Sequence, residues 1–319
     1  MDNYEALLQL IERNDVITIY GHSNPDGDCY GSQIGLRELI RARYPEKKVY
    51  AVGSGIPAFF ERLTTMDEVD EATIASSAGI LVDVSCLRRV EDPRVYQCKE
   101  HGKFDHHQPS PLEEFVGPSI VETKRIAAAE IIVEFAIRFH FPITRLAAEA
   151  LYLGILTDSG RLTYRGTTPR TLELVALLRT KGIKIRSIQQ IAYYESPETK
   201  KVKATIRRRA RCYGHVCYCF LPRESFEKHG LSPQNAIRLV NALASVYTDC
   251  RCYVLFVPFD GDEVNVELRS NHGYCVHDTA KAFGGGGHKF ASGCTIYSNQ
   301  TDYMDVVKML DQAEYVEEE

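Results

Sequence analysis

Four stretches of this chain put carboxylates and imidazoles where an apolar run comes to an end. His22-Ser23-Asn24-Pro25-Asp26-Gly27-Asp28 follows the apolar run Val16 to Tyr20, and Asp83 lies inside Gly79-Ile80-Leu81-Val82-Asp83-Val84. Asp105-His106-His107 follows Phe104, and Asp158 closes the apolar stretch Leu151 to Thr157. A carboxylate in such a run needs a partner, because an unpaired buried charge costs several kcal/mol and protonates instead. If the four stretches meet at one sheet edge, their carboxylates repel: two unit charges about 4 Å apart cost roughly 4 kcal/mol at an effective dielectric near 20. Divalent cations resolve that conflict. Aspartate oxygens mixed with imidazole nitrogens, without cysteine, favour a hard or borderline ion, Mn(II) or Mg(II), over structural zinc. Two such ions about 3.5–4 Å apart activate water, bind both sides of a phosphate and offset charge on the leaving oxygen.

The elements that must position these groups follow from periodicity. Leu7, Leu8, Leu10 and Ile11 mark one face of a short helix over Tyr4 to Asn14, and Val16 to Tyr20 reads as a buried strand. A polar loop from His22 to Asp28 comes next, and a helical pattern resumes over Gly31 to Tyr44. Lys48 to Val52 and Gly79 to Val84 are further strands, rich in β-branched or aliphatic residues as in a sheet covered on both faces. Arg125 to Phe139 and Thr144 to Thr157 read as helices divided by Pro142. Thr168, Pro169 and Gly182 cap another at both ends. The fold class is α/β: a doubly wound parallel-sheet domain over residues 1–185, a connection over 186–211 and a smaller mixed α/β domain over 212–319. Tyr213 to Leu221, Cys252 to Pro258 and Glu263 to Arg269 are its strands, and Pro233 to Ala244 its helix.

A net charge of −5 and a pI near 6.1 exclude the global positive field with which long-duplex binders gather phosphates, so a nucleic-acid partner is short and locally held. The start of the chain lacks a basic stretch followed by an apolar one, so the ten cysteines are read as reduced thiols in a cytoplasm. Cys212, Cys217, Cys219, Cys250 and Cys252 lack paired C-x-x-C spacing and alternate with apolar residues, as strand interiors do. No apolar run approaches the roughly 20 residues of a membrane span. Glu317 to Glu319 read as a solvated tail, and Gly53-x-Gly55, without a third glycine, as a turn. The cluster Lys200, Lys201, Lys203, Arg207, Arg208, Arg209 and Arg211 is either a solvated helix face or a rail for phosphates.

These residues resemble the DHH phosphoesterase superfamily, in particular its NrnA-type oligoribonucleases with a DHH-associated C-terminal domain. The resemblance rests on Gly21 to Asp28, Val82-Asp83, Asp105-His106-His107 and Thr157-Asp158-Ser159-Gly160, then on Arg269-Ser270 and Phe283-Gly284-Gly285-Gly286-Gly287-His288, and it covers nearly the whole chain. It implies an active site in the cleft between the domains and two divalent ions, Mn(II) or Mg(II). One ion would be held by His22, Asp26 and Asp83, the other by Asp28, Asp83, His106 and Asp158. Catalytic roles fall to Asp83 as the bridge, to His107 facing the scissile phosphate and to Asp105 orienting a ligand imidazole. Water between the ions is the nucleophile. Arg269, Ser270, Gly285, Gly286, Gly287 and His288 would grip the substrate's terminal phosphate or sugar. The chain departs from the family pattern at Cys29 and Tyr30, at Cys86, at Ser159, and at Ala127-Ala128-Ala129-Glu130, which lacks the usual Ser or Thr before Ala-Glu.

The activity implied is hydrolysis of oligonucleotides of about two to five units to nucleoside 5′-monophosphates, and of 3′-phosphoadenosine 5′-phosphate to AMP. A cyclic-di-AMP or pApA phosphodiesterase is an alternative within the resemblance, and a nucleotide-binding sensor without catalysis is an alternative of another class. Expected partners are short RNA or DNA oligonucleotides or small nucleotides, with neither long duplex nor membrane, and a homodimer is compatible.

Overall fold

Alternation along the apolar runs sets the first sheet. In a computed structural model, residues 2–316 are described apart from Asn24, residues 58–59 and 109–114, Arg165, Thr248 and His272. The tail expected at residues 317–319 lies outside them. The chain divides into two units, Met1–Tyr194 and Glu195–Glu319.

Strands β1 (Val16–Tyr20), β2 (Lys48–Ala51), β3 (Ala78–Val82), β4 (Glu100–Asp105) and β5 (Ser119–Val121) of the first unit form a parallel sheet in the order β2-β1-β3-β4-β5. Ile17, Ile19, Ile80 and Val82 belong to the larger core, while Tyr20 and Leu81 join a second cluster with Val52, Ile74 and Val95. Alternate residues therefore feed the two faces of the sheet. The helices are α1 (Asn3–Arg13), α2 (Gly27–Arg43), α3 (Glu71–Ser76), α4 (Ala128–Arg138), α5 (Arg145–Asp158), α6 (Pro169–Arg179) and α7 (Ile185–Ala192). From β1 the chain turns to one side for β2 and to the other for β3, so a crevice opens at the carboxyl ends of β1 and β3, the usual ligand position in a doubly wound sheet.

The cap chemistry read at Thr168, Pro169 and Gly182 is present: Thr168 accepts from Thr171 N, Pro169 opens α6 and Gly182 takes φ +72°. The loop expected over His22 to Asp28 is shorter, because the Asp26 carboxylate caps a helix that begins at Gly27. Asp28 thus sits in the first turn of α2, not in the loop. Asp83 lies just past β3, not inside a strand, and takes φ +54°.

In the second unit, α8 (Pro197–Arg209) precedes β6 (Arg211–Tyr213), β7 (Val216–Phe220), α9 (Glu224–Glu227) and α10 (Pro233–Ile237). Then follow β8 (Cys252–Pro258), β9 (Glu263–Ser270), α11 (His277–Ala282), β10 (Gly286–His288), β11 (Ala291–Tyr297) and α12 (Tyr303–Asp311). The sheet order is β10-β11-β9-β8-β7-β6, with β7 and β8 parallel and the other pairs antiparallel. The single strand expected over Tyr213 to Leu221 is a hairpin turning at Gly214 (φ +51°). Cys217, Cys219 and Cys252 are core residues of β7 and β8, as their apolar neighbours predict, whereas Cys212 is exposed with its Sγ 3.4 Å from that of Cys250. The basic stretch, placed in the connection between the domains and read as a solvated helix face or a phosphate rail, is helical. Ser196 caps α8, Val202 and Ile206 one turn apart are buried, and Lys200, Lys201, Arg207, Arg208 and Arg209 face solvent.

Close helix packing holds the crevice in place. A Cβ on Gly31 of α2 would stand 2.4 Å from the Ala150 carbonyl oxygen and 2.9 Å from Gly154 N, both backbone atoms of α5. Gly31→Ala is therefore expected to lower the unfolding free energy by about 1–3 kcal/mol in urea titrations. A midpoint equal to that of the parent protein would show that the two helices separate freely.

Candidate active site

His22 leaves the end of β1 with its backbone bridged to Val90, and its Nδ1 lies 2.9 Å from the Ser23 carbonyl, which directs Nε2 at the crevice. There Nε2 is 3.5 Å from Asp83 Oδ2 and 3.8 Å from Asp26 Oδ1. Asp26 Oδ1 also accepts from Asp28 N and Cys29 N, both at 3.0 Å. Asn24, within the same segment, lies outside the described residues.

Asp83 occupies the middle. Its left-handed backbone is a conformation that aspartate tolerates better than most residues, and it turns the carboxylate off the end of the sheet. Oδ1 is 3.2 Å from His106 Nε2 and 3.6 Å from His107 Nδ1, while Oδ2 faces His22. His106 Nε2 is also 3.6 Å from Asp158 Oδ2 and 3.9 Å from Asp28 Oδ2. The structure thus gathers His22 and Asp83 with Asp26 alongside, and Asp28, His106 and Asp158 with Asp83 between the two sets.

Asp28 has a further task that its sequence position conceals. Its buried carboxylate accepts from Ala128 N at 2.6 Å, Ala129 N at 3.1 Å and Ser32 Oγ at 3.2 Å. Helix α4 starts after Ala127, which makes no side-chain cap, so Asp28 caps it from a distant segment. That explains how the chain dispenses with a Ser or Thr before Ala-Glu.

The imidazoles divide differently from the expectation that Asp105 orients a ligand imidazole. Asp105, 1% exposed, holds His107 through Nδ1 at 2.8 Å, whereas Nδ1 of His106 lies 3.2 Å from the Arg125 carbonyl. Cys29 also comes close: its Sγ groups with ligand atoms of His22 and Asp83. Burial, then the charges of Asp83 and Asp26, push that thiol well above its usual range in the metal-free protein.

Burial disfavours charge on both ring systems, yet nearby carboxylates prevail. Asp83, the Ser23 carbonyl and Asp26 raise His22 to about 9, and Asp83, Asp28 and Asp158 raise His106 to about 10. Burial and the charges of Asp83 and Asp26 push Asp158 up to about 7, and burial with Asp83 and Asp158 lifts Asp28 well above the usual carboxylate range. Asp83 stays low in spite of burial, because His106 and His22 flank it.

Two buried atoms decide whether a cation fits. Asp83 Oδ1 and His106 Nε2 have no hydrogen-bond partner among the described residues although they lie 3.2 Å apart. Native structures rarely leave such atoms unpaired. A cation contacting both would satisfy them, and the surrounding carboxylates supply the remaining oxygen donors.

In the second unit, β9 carries Arg269 and Ser270, Arg269 pairs in register with Ala291, and Ala291 pairs with His288. Arg269 and His288 thus share one rung of the sheet. Gly286 to His288 form edge strand β10, with Gly287 at φ +136°, so the glycine run is not a free loop. A Cβ on Gly285 would meet the Gly293 carbonyl oxygen at 2.1 Å, so only glycine fits beneath β11 there. Ser270 Oγ accepts from Tyr274 N at 2.8 Å and serves the turn after β9.

The DHH family, N-terminal domain, matches residues 16–155, and the DHHA1 domain matches residues 214–314. The chain is 34% identical over 308 residues to the bifunctional oligoribonuclease and PAP phosphatase NrnA of Mycoplasma genitalium, covering 94% of each chain. The chain belongs to the DHH family. A second DHH relative, the bifunctional oligoribonuclease and PAP phosphatase NrnA of Bacillus subtilis, is 31% identical over 297 residues, covering 92% of this chain and 93% of that one. A solved exopolyphosphatase-related protein from Bacteroides fragilis shares the fold, with a TM-score of 0.80, 21% identity and coverage of 97% of this chain and 94% of that one. As a DHH phosphoesterase the protein is a hydrolase that depends on divalent metal ions. No helix among its described residues is long and apolar enough to cross a membrane.

Metal binding to this DHH site must displace protons, since an ion takes neutral imidazoles and ionised carboxylates. At pH 7 the metal-free protein holds protons on His22 and His106, and Asp158 is near half-titration. Calorimetry with Mn(II) in buffers of different ionisation enthalpy is expected to read release of about one proton or more per ion, with apparent affinity rising from about pH 6 to about pH 10. Affinity independent of pH, with no buffer dependence of the heat, would contradict this assignment of charge.

Proposed function

We propose that the protein hydrolyses oligonucleotides of about two to five units to nucleoside 5′-monophosphates and 3′-phosphoadenosine 5′-phosphate to AMP, with two Mn(II) ions and water as the nucleophile. The observation that carries the reading is Asp83, its two oxygens set toward His22 on one side and His106 on the other, with Oδ1 left unpartnered. The relatives' printed activities, oligoribonuclease and PAP phosphatase, supply the substrate class. His22, Asp26 and Asp83 would hold one ion, and Asp28, Asp83, His106 and Asp158 the other. When bound, such a pair lowers the pKa of water and neutralises charge on the phosphate.

The remaining work belongs to side chains. Asp105 accepts from His107 Nδ1 and fixes the ring, which leaves Nε2 of His107, 40% exposed, to donate to a phosphate oxygen when protonated. Asp28 ties the first turn of α2 to the start of α4, so the ligand on one helix cannot move without the other. Arg269, Gly285, Gly286, Gly287 and His288 offer a guanidinium, backbone N–H groups and an imidazole to the substrate's terminal phosphate or sugar, and Ser270 shapes the turn beside them.

Assays with Mn(II) on pApA, a 24-mer, 3′-phosphoadenosine 5′-phosphate, cyclic-di-AMP and pyrophosphate test the reading. Dinucleotide and 3′-phosphoadenosine 5′-phosphate are expected to turn over and the 24-mer to lag. His106→Ala should reduce kcat by more than about 100-fold on every substrate, since even partners behind a metal ligand are worth about 10–100-fold. Arg269→Ala should mainly raise KM, by about 10–100-fold, the equivalent of one charge-assisted hydrogen bond. Equal rates on dinucleotide and 24-mer, or full activity in His106→Ala, would refute the proposal.

A further inference from the structure

Of the ten cysteines only Cys212 is exposed, and it stands on edge strand β6. Its Sγ lies 3.4 Å from that of buried Cys250, two residues ahead of β8 and 38 positions further along the chain. A disulfide bond is about 2.05 Å long, so a movement of about 1.4 Å shared between the two residues would join them. Strand β6 pairs with β7 alone, so it can give that movement without breaking the rest of the sheet. A cavity of about 400 Å³ opens over the pair, lined by Gly214, His215, Tyr247 and Asp249 beside the two thiols. Among the described residues no third metal-ligating atom groups with the two sulfurs, as a structural ion site requires. Cys217 faces Cys212 across the β6–β7 hairpin, but it is turned into the core toward the Leu243 carbonyl.

The backbone around Cys250 is tied to the end of β9. The Cys250 carbonyl accepts from Asn271 Nδ2 at 3.1 Å, and the Arg251 carbonyl accepts from Asn271 N at 2.6 Å. Arg251 N donates to the His215 carbonyl, in the turn between β6 and β7, at 2.7 Å. The hairpin, the entry to β8 and the residue after Ser270 therefore form one hydrogen-bonded patch, which a bond between the sulfurs would close covalently.

We propose that Cys212 and Cys250 are an oxidant-responsive dithiol, which hydrogen peroxide converts to a disulfide that pins edge strand β6 to the entry of β8 and the end of β9. Cys212, the exposed sulfur, attacks a peroxide oxygen as its thiolate. The O–O bond breaks, hydroxide leaves and takes up the proton that the thiol lost, and Cys212 becomes a sulfenic acid. The Cys250 sulfur then attacks that of Cys212, the S–O bond breaks, and the departing hydroxide leaves as a second water with the Cys250 proton. Two thiols lose two electrons, and one peroxide is reduced to two waters. Burial, then the neighbouring Cys212 sulfur, push the Cys250 thiol up to about 12, which keeps it protonated until an electrophilic sulfur stands beside it.

Treatment of the full chain with equimolar hydrogen peroxide, followed by thiol counting in denaturant and non-reducing peptide mass spectrometry, tests the assignment. Two of the ten thiols are expected to disappear, one Cys212–Cys250 bridged peptide to form, and dithiothreitol to restore both. Cys212→Ser and Cys250→Ser should each abolish the bridge; Cys212 is exposed, so its serine variant keeps the fold and serves even where the buried substitution does not. Hydrogen exchange in peptides 250–254 and 266–271 should slow by about threefold or more in the oxidised protein and return on reduction. An intact set of ten thiols, a bridge from Cys212 to Cys217 or to a second copy, or a Cys212 that stops at sulfenic or sulfinic acid overturns the dithiol. A bridge that leaves the exchange of both peptides unchanged overturns the pinning.

Discussion

Mutual repulsion among carboxylates governs the first unit. Asp28, Asp83 and Asp158 surround His106 Nε2 within 3.9 Å, and Asp26 with Asp83 flanks His22. At about 4 Å each like-charged pair costs roughly 4 kcal/mol at an effective dielectric near 20, an amount comparable to much of a domain's net stability. Without a cation, protons must neutralise the cluster. That is why Asp158 and both imidazoles are shifted upward, while Asp83, flanked by the imidazoles, stays ionised. The titration pattern has its negative centre at Asp83, where the two unpartnered buried atoms also meet.

The fold meets this constraint with backbone groups. Helix N-termini carry partial positive charge, and two of them point at the cluster: α2 through Asp26, which caps it, and α4 through Asp28. Each aspartate therefore serves both as a helix cap and as a member of the acidic cluster, so the local structure is stabilised by the same charges that the site needs. The close approach depends on small residues. A Cβ on Gly154 would stand 2.6 Å from Asp28 Oδ1 and 2.8 Å from Ala129 Cβ. Helices α2, α4 and α5 therefore meet around one carboxylate.

The parts legible in the sequence were those decided locally. Alternation identified β1, β2 and β3, and cap residues identified α6, because periodicity and caps involve neighbours within a few residues. The four acidic stretches could be grouped because strand ends of a doubly wound sheet share one edge. What escaped detection depends on distant partners. Ala128 N binds a carboxylate 100 residues earlier, and no feature of Ala127 to Glu130 signals it. The choice of His107 over His106 as the partner of Asp105 depends on ring direction, which spacing does not encode. The basic stretch leaves a solvated helix face and a phosphate rail both open in the sequence, because only two apolar residues, Val202 and Ile206, behind a Ser196 cap and Pro197, mark the buried side of α8. Edge strand β10 was missed because glycine has low strand propensity, and its pairing comes from β11.

Charge plays opposite parts in the two units. In the first it is left in excess, so that a doubly charged ion gains the most from entering. On the polar face of the second it is balanced within the chain, because Glu267 closes on Arg269. That pairing weakens the long-range field of Arg269 and holds its guanidinium in one place on the sheet face. The glycines at 285 and 293 let the strands of that face approach: a Cβ at 285 would stand 2.1 Å from the Gly293 carbonyl oxygen, and one at 293 would stand 3.0 Å from Glu267 Oε2 and 3.1 Å from the Val266 carbonyl oxygen.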